Sequence, residues 1–343
     1  MYCSLKFTRR IALSALAVAA AGFAALPVSA QETDVIFVQP HPSAISSFPV
    51  HVAIGAGFYE EEGLNVTVQT VDGSGLATQA VESGQAQFAR PGPGVVMAAR
   101  ERGADVIFIY NVAARSNFGV VVPQDGDIQS PQDLQGTVVG VATADGAEVG
   151  FARNVLGGSG LVEGEDFEFL SVGDGGPAAT AFNRGEIAAY TASLADAAIL
   201  NLRGVNVVDI TPVEFQRFFG NGLITTGEII ENDPELVEKF IRATARGHAF
   251  SMDEANREAA LGYLAQANPQ ESEDPAFASA LFDALTANAT PLEGSEGLGW
   301  IPPDVWQEWQ NVLVETGALE APLDTDNPGF TNDFVMMVQG ALE

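Results

Sequence analysis

The sequence predicts an α/β protein of two lobes, and three observations carry that prediction. From Asp34 onward short apolar runs alternate with helical patterns, which implies βαβ units and mostly parallel sheets. Near Thr137 the series starts again. A shift of 101 residues also lays VDGSGLATQAVESGQAQFA (71–89) over VGDGGPAATAFNRGEIAAY (172–190), so that Val71, Gly75, Ala77, Ala80 and Gly84 meet Val172, Gly176, Ala178, Ala181 and Gly185. Each copy reads strand end, glycine loop, short helix, closing glycine, strand. Each therefore delivers a helix N-terminus, with its unpaired backbone N–H groups, from a glycine-rich turn.

Residues 1–30 stand apart. Lys6, Arg9 and Arg10 form a basic start, Ile11 to Leu26 an apolar run, and Val28-Ser29-Ala30 a small-residue site, the layout of an export signal cleaved after Ala30. The apolar run is shorter than the ~20 residues a bilayer needs. Arg9-Arg10 hints at twin-arginine export, although the residues after the pair match it poorly. Cys3, the single cysteine, precedes the apolar run, so the expected mature chain has no thiol for disulfides, metal ligation or catalysis.

The first lobe then reads in order. VIFV (35–38) is a strand, and Phe48 to Glu62 a helix with Glu60, Glu61 and Glu62 toward water. Gly63 switches helix to strand, because the residue after a helix often takes a positive φ that a side chain disfavours. VTVQTV (66–71) is the next strand, followed by the helix Leu76–Ser83, the strand AQFA (86–89), the helix Gly94–Arg102 and the strand VIFIY (106–110). In the second series TVVGVA (137–142), FEFLSV (167–172), IAAYTA (187–192) and VNVVDI (205–210) are strands, with helices near 146–157, 177–184 and 194–203. After Thr211 the pattern becomes helical. DPELVEKFIRATARGHAFS opens on an aspartate cap before Pro234, and further helices fall near 255–266, 275–287, 303–316 and 332–339. With no sheet of its own, this third section is expected to pack on the first lobe.

Composition removes whole classes of function. The chain has 15 basic and 45 acidic residues; the signal takes three of the former and none of the latter, so the remaining 313 residues carry a net charge of −33. That balance excludes nucleic acid as a partner, and the acidity is spread as a solvated surface. His41, His51 and His248 form no HxxxH or HxH pair, so no metal site is expected. No G-x-S-x-G elbow, phosphate-binding GxxxxGK[ST] loop or EF-hand loop occurs. Gly173 to Ala178 fits G-x-G-x-x-A with Asp196 about twenty residues on, as in a dinucleotide site, but it lies mid-lobe and its near-copy at 72–77 breaks the pattern. A helix-terminus turn for another small polar group is the simpler reading, and no cofactor is expected. Trp300, Trp306 and Trp309 are read as packing, since Trp306, Trp309 and Leu313 recur at helical spacing. The loop QPHPSAISSFPVHVA (39–53) follows the first strand and would project hydroxyls and Phe48 at the carboxyl edge of the sheet, where ligands of open α/β sheets bind.

Five segments in order, GFYEEEGLNVTVQTVDGSG, VESGQAQFA, ERGADVIFIYNVA, DIQSPQDLQGTVVGVAT and FNRGEIAAY, make residues 34–240 resemble the substrate-binding proteins of ABC importers for nitrate, sulfonate, taurine and thiamine precursors. The resemblance implies a two-lobed periplasmic-binding-protein fold of type II, with two parallel-type sheets and a ligand cleft between the lobes. It implies lobe one at 31–116 plus 220–343, lobe two at 117–219, and chain crossings near Ala113–Gly119 and Thr211–Leu223. The function implied is non-catalytic: capture of a small-molecule solute by a periplasmic monomer that delivers it to an ABC permease and its ATPase. By position, the solute would be held by Ser43, Ser46, Ser47 and Phe48; Gly73, Ser74 and Gly75; Arg90; Asn111 and Arg115; Thr143, Asp145 and Gly146; Asp174, Gly175 and Gly176; and Tyr190. Sulfonate binders of this kind tend to place a serine at the start of the first helix of lobe two, whereas this chain has Asp145-Gly146-Ala147-Glu148. Acids at a helix N-terminus disfavour an anion and suit an amine or aminopyrimidine. Arg90, with the solute or Asp72 as its anionic partner, and Arg115 suit a sulfonate or carboxylate. A thiamine-pyrimidine synthase-like enzyme and a receptor coupled to a signalling protein are the alternatives on this scaffold. The former needs a reactive side chain in the cleft, and no lysine lies between Lys6 and Lys239.

Overall fold

A computed structural model describes residues 1–2, 32–144, 147–292, 295–315 and 317–342. Residues 3–30 of the expected export signal, Gln31 after it, and the site candidates Asp145 and Gly146 lie outside the described residues. The strands are β1 (Thr33–Gln39), β2 (Leu64–Thr70), β3 (Phe88–Ala89), β4 (Val106–Asn111), β5 (Phe118–Pro123), β6 (Thr137–Val141), β7 (Phe167–Ser171), β8 (Ala189–Ser193), β9 (Val207–Asp209) and β10 (Gly222–Thr226). They form two five-stranded sheets, ordered β2-β1-β3-β10-β4 and β7-β6-β8-β5-β9.

In each sheet four strands run the same way, the parallel type the sequence predicts, and one is reversed. β10 runs antiparallel to β3 and β4, and β5 antiparallel to β8 and β9, while β1 pairs in parallel with β2 and β3 and β6 with β7 and β8. FGVVVP and GLITT are short and buried throughout their centres, so neither shows an alternation that would mark it as a strand. Each is the first strand after the chain passes from one sheet to the other, through 112–117 and then 210–221.

The helices take the predicted places. α1 (Phe48–Gly55) and α2 (Phe58–Glu61) replace the single helix expected over 48–62, because Gly57 at φ +76° breaks it. Gly63, at φ +72°, is the predicted switch into β2. α3 (Ser74–Glu82) and α4 (Pro93–Glu101) follow in the first sheet; α5 (Ala147–Gly158), α6 (Gly176–Arg184) and α7 (Leu194–Leu202) flank the second, and α8 (Val213–Gln216) lies on the return crossing. The internal repeat is structural: α3 and α6 each start after a positive-φ glycine, Gly73 and Gly175, and stop at another, Gly84 and Gly185.

α9 (Gly227–Asn232), α10 (Pro234–Met252), α11 (Arg257–Ala267), α12 (Pro275–Ala289), α13 (Pro303–Glu315) and α14 (Asp333–Leu342) follow: α9 packs on β10, α10 and α11 on α1, α13 on α4 and α14 on β4, while α12 packs against α7 beside the second sheet. On one face α1 and α10 pack over β1, β3 and β4, with Phe88 and Phe240 stacked at 3.8 Å between ring centroids. On the other face α3, α4 and α13 enclose Trp306, which is 1% exposed among Phe108, Phe219 and Phe330. Smaller apolar layers line the two faces of the second sheet. Among the described residues no helix is long and apolar enough to cross a membrane.

Candidate ligand site

The carboxyl ends of β1, β3 and β4 and the start of β10 lie side by side, since Phe37 and Val38 pair with Phe88 and Ala89, and Gly222 pairs with Asn111. The chain leaving β1 at Gln39 makes a short turn over 45–47 before α1. Glu271, between α11 and α12, fixes this turn: Ser43 Oγ donates to its Oε1 and the Ile45 N–H to its Oε2 at 3.1 Å. Asn268 Nδ2 donates to Pro42 O at 2.8 Å, and Ser46 N donates to Ser43 Oγ at 3.0 Å. Ser43 is thus largely spent on its own loop, and Ser47 and Phe48 are buried beneath it.

Arg90 sits under that turn, 4% exposed, directly after β3. Its Nε donates to Ser47 Oγ at 3.1 Å and its Nη2 to His41 Nε2 at 3.4 Å. An arginine has no acceptor, so His41 accepts with Nε2 and is neutral. Burial, and secondly the adjacent Arg90, push the pKa of His41 and of His51 down to about 4; His51 Nε2 bonds Gln39 Oε1 at 2.9 Å. Burial also lowers Arg90, to about 10. Among the described residues no carboxylate pairs with Arg90, and Asp72, which the sequence offered as its partner, is exposed and makes no ion pair.

Beside it, Gly73 takes φ +96° and presents the start of α3, where Ser74 Oγ accepts from the Gly92 N–H at 3.1 Å and Gly75 is exposed. At the far end of the edge Asn111 is 5% exposed: Nδ2 donates to Trp300 O at 3.2 Å, while Oδ1 is buried without a partner. A cavity of about 30 Å³ opens there, lined by Asn111, Ala114, Leu292 and Trp300 among others, roughly the space of one water. Trp300 lines this cavity while packing against the α1 and α10 core, and Trp306 and Trp309 pack on the other face, as the sequence predicts. Arg115 is already employed, its Nη1 donating to Ala287 O at 3.2 Å and Thr290 O at 2.9 Å at the end of α12.

The second sheet offers acids. Thr143 N and Oγ1 donate to Glu148 Oε1 at 3.0 and 3.3 Å. Asp174 is exposed on the turn before α6, Gly175 is buried against Ile199, and the Gly175 N–H donates to Asp196 Oδ1 at 3.0 Å. Asp196 Oδ2 accepts from Ser193 N and Oγ at 3.1 and 2.6 Å, completing the cap of α7. That double use answers the dinucleotide pattern: the acid twenty residues on holds the glycine turn and is not free for a ribose. Tyr190 OH donates to Gly173 O at 3.3 Å, and burial, with Asp196, Asp174 and Glu148 nearby, raises its pKa. The structure thus brings Ser47, Arg90, Ser74 and Gly73 to one edge and Thr143, Asp174, Gly176 and Tyr190 to the other sheet's edge. His41, His51, Gln39, Asn221, Glu271 and Trp300 were not singled out by the sequence as site residues. Only Gln39, His41 and His51, all within the 39–53 loop already suspected, carried a signal that could have found them.

Comparison with known proteins places the molecule. Residues 45–258 match the family described as NMT1/THI5 like. The chain is 26% identical to the riboflavin-binding protein RibY of Chloroflexus aurantiacus, over 92% of this chain and 91% of that protein. It is 24% identical to the formylaminopyrimidine-binding protein of Halalkalibacterium halodurans, over 86% of this chain and 88% of that protein. The periplasmic aliphatic sulphonate binding protein SsuA from Escherichia coli has the same fold, at 14% identity and a TM-score of 0.69 over 89% of this chain and 93% of that one.

Proposed function

The chain belongs to the NMT1/THI5-like family, and on that premise we propose that it is the solute-binding component of an ABC importer. The observation that carries this reading is the duplicated sheet. Two sheets of the same strand order, joined by two crossings, each end in glycine turns that start helices, and the polar candidates gather on those two edges. Lobe one would be 31–116 plus 220–343 and lobe two 117–219, with the solute between them. The ligand is a small polar organic molecule containing nitrogen or sulfur. The two sequence relatives, one named for riboflavin and one for a formylaminopyrimidine, support a nitrogen heterocycle over a simple sulfonate. The protein works in the periplasm as a monomer, after cleavage at Ala30, and hands its solute to a permease with its ATPase. Catalysis is not part of this reading.

The test is mass spectrometry of the solute that survives gentle purification, followed by scattering with that solute added. A bound heterocycle that compacts the protein is expected. Ligand at about 100 times its dissociation constant should add about 2.7 kcal/mol of stability. A bound solute that leaves the shape unchanged would remove the two-lobe mechanism.

A further inference from the structure

α12 does more than cover apolar surface. Its sequence, PAFASALFDALTANA, is rich in alanine; Pro275 takes the first helical position, and Asp274 caps it by accepting from the Ala276 and Phe277 N–H groups at 3.0 and 3.1 Å. A helix so built, 15 residues long, is a stiff rod of about 22 Å. Both of its ends are fastened. Just ahead of it Glu271 accepts from Ser43 Oγ and the Ile45 N–H, and Asn268 Nδ2 holds Pro42 O, so the turn leaving β1 hangs on the segment 268–271. Phe282 then meets Phe48 edge-on at 5.9 Å between ring centroids. At the far end Asn288, 7% exposed, grips the first crossing at Arg115 and Ser116, and Arg115 Nη1 returns to Ala287 O and Thr290 O.

A third attachment leads to the other sheet. Among the described helices, α7 against α12 is the main contact between the elements of the two sheets, and Ala195 near the start of α7 reaches the apolar layer beneath α1 and α10. The Leu194 N–H donates to Asn117 O at 3.1 Å, and Asn117 Oδ1 accepts from Asn288 Nδ2 at 3.5 Å, so the start of α7 and the end of α12 share one neighbour. Asp196, in the same turn of α7, holds the Gly175 N–H at 3.0 Å. A continuous path of packed and hydrogen-bonded groups therefore runs from the 43–47 turn on one edge, through Glu271, α12 and α7, to the Gly175 turn on the other. It runs beside the two crossings.

We propose that α12 is a strut that couples the 43–47 turn at the first sheet's edge to α7 and the Gly175 turn at the second, with Glu271 as the residue that positions its near end. Such coupling needs contiguous packed elements with a stiff member between them, and α12 supplies that member. The consequence rests on the solute-binding reading: a solute that displaces the first turn is felt at the opposite edge before it touches it. By reciprocity, whatever shifts α7 also alters the hold of the first turn on the solute.

Hydrogen exchange read by mass spectrometry on the whole protein, with no solute added, separates this role from a local one. Glu271→Ala releases the Ser43 hydroxyl and the Ile45 N–H. Exchange should quicken at 42–47 and also, about fivefold or more, at 115–117 and across α7, as expected for two coupled sites, while α5 keeps its rate. Glu271→Gln, with one acceptor oxygen in place of two, should give the same pattern at smaller size. Faster exchange confined to 42–47 and α1, or no change at α7, would make Glu271 a local support and overturn the strut. If Glu271→Ala unfolds, or quickens exchange everywhere with α5 included, Glu271→Gln carries the same comparison. Because no solute is used, the strut can fail while a co-purified solute still compacts the protein. It can equally stand where no solute compacts the protein, which would remove the import reading alone.

Discussion

His41, His51 and His248 are all held neutral, the first two with pKa values near 4 and the third near 3, by burial and, for the first two, by the charge of Arg90. His248 donates or accepts only through Nδ1, bonded to Tyr110 OH at 2.9 Å, and packs edge-on to Phe48. An unfolded chain protonates these imidazoles as the pH falls below about 6.5, whereas the folded chain resists until about 4 at His41 and His51 and about 3 at His248. Their contribution to stability is therefore complete above pH 6.5 and lost progressively down to pH 4 for His41 and His51 and pH 3 for His248, at about 1.4 kcal/mol for each pH unit by which a pKa is lowered. Urea midpoints at pH 7, 5.5 and 4.5 should fall steeply. His41→Asn should flatten the slope, and an unchanged slope would show that His41 is not buried neutral. Asp196 gives a second test. Replacing it by alanine strands the Gly175 N–H and removes the reciprocal half of the α7 capping box, leaving the Ser193 N–H without its acceptor, a loss of about 1–3 kcal/mol in thermal or urea unfolding. If the stability of Asp196→Ala equals that of the parent, the acid is not structural and the dinucleotide pattern regains its meaning.

At the scale of elements, the packing of α10 on α1 decides where the ligand turn sits. Gly247 faces α1 so closely that a Cβ there would lie 2.2 Å from Pro49 O and 2.9 Å from the Ala53 side chain. Gly247→Ala must push α1 away, at a cost of about 1–3 kcal/mol, and α1 carries Ser47 and His51 with it. The variant should melt lower and also bind solute more weakly, whereas Gly150→Ala, on α5 with open space around it, should do neither. Much of this layer was legible in the sequence because punctuation there is explicit: Gly63, Gly84 and Gly185 stop helices at positive φ, and Asp233 with Pro234 starts α10. β5 and β10 were not legible. Each has only five or six residues, apolar on both faces, and their antiparallel direction depends on partners more than 60 residues away in sequence. The site was half legible for a similar reason. A glycine turn or a serine-rich loop announces itself locally. The use of Arg115 on α12, or of Glu271 beneath Ser43, arises only when distant elements meet.

For the whole molecule the argument turns on what lies between the sheets. The first crossing is fastened to α12, since Asn288 Oδ1 accepts from Arg115 N at 3.1 Å and its Nδ2 donates to Ser116 O at 2.8 Å. The return crossing touches the first at Asn221, whose Oδ1 accepts from Asn117 Nδ2 at 3.4 Å and whose Nδ2 donates to Arg90 O at 3.3 Å. Gly220 leaves room for this contact, because a Cβ there would meet Asn117 Nδ2 at 2.3 Å. Asn288 Nδ2 also donates to Asn117 Oδ1 at 3.5 Å, so α12 holds the first crossing as far as Asn117, where the return crossing meets it beside the Arg90 backbone. A solute that draws the edges together would be felt at the cavity where Trp300 lies over Asn111, so the fluorescence of Trp300 should change on binding although Trp306 stays sealed. Trp300→Phe should remove that change. Asn288→Ala should lengthen the free hinge: the unliganded protein should scatter as a larger particle, the liganded one as before, and affinity should fall severalfold because more motion is lost on closure. Equal radii of gyration for parent and variant, with affinity unaltered, would show that the asparagine contacts do not set the hinge.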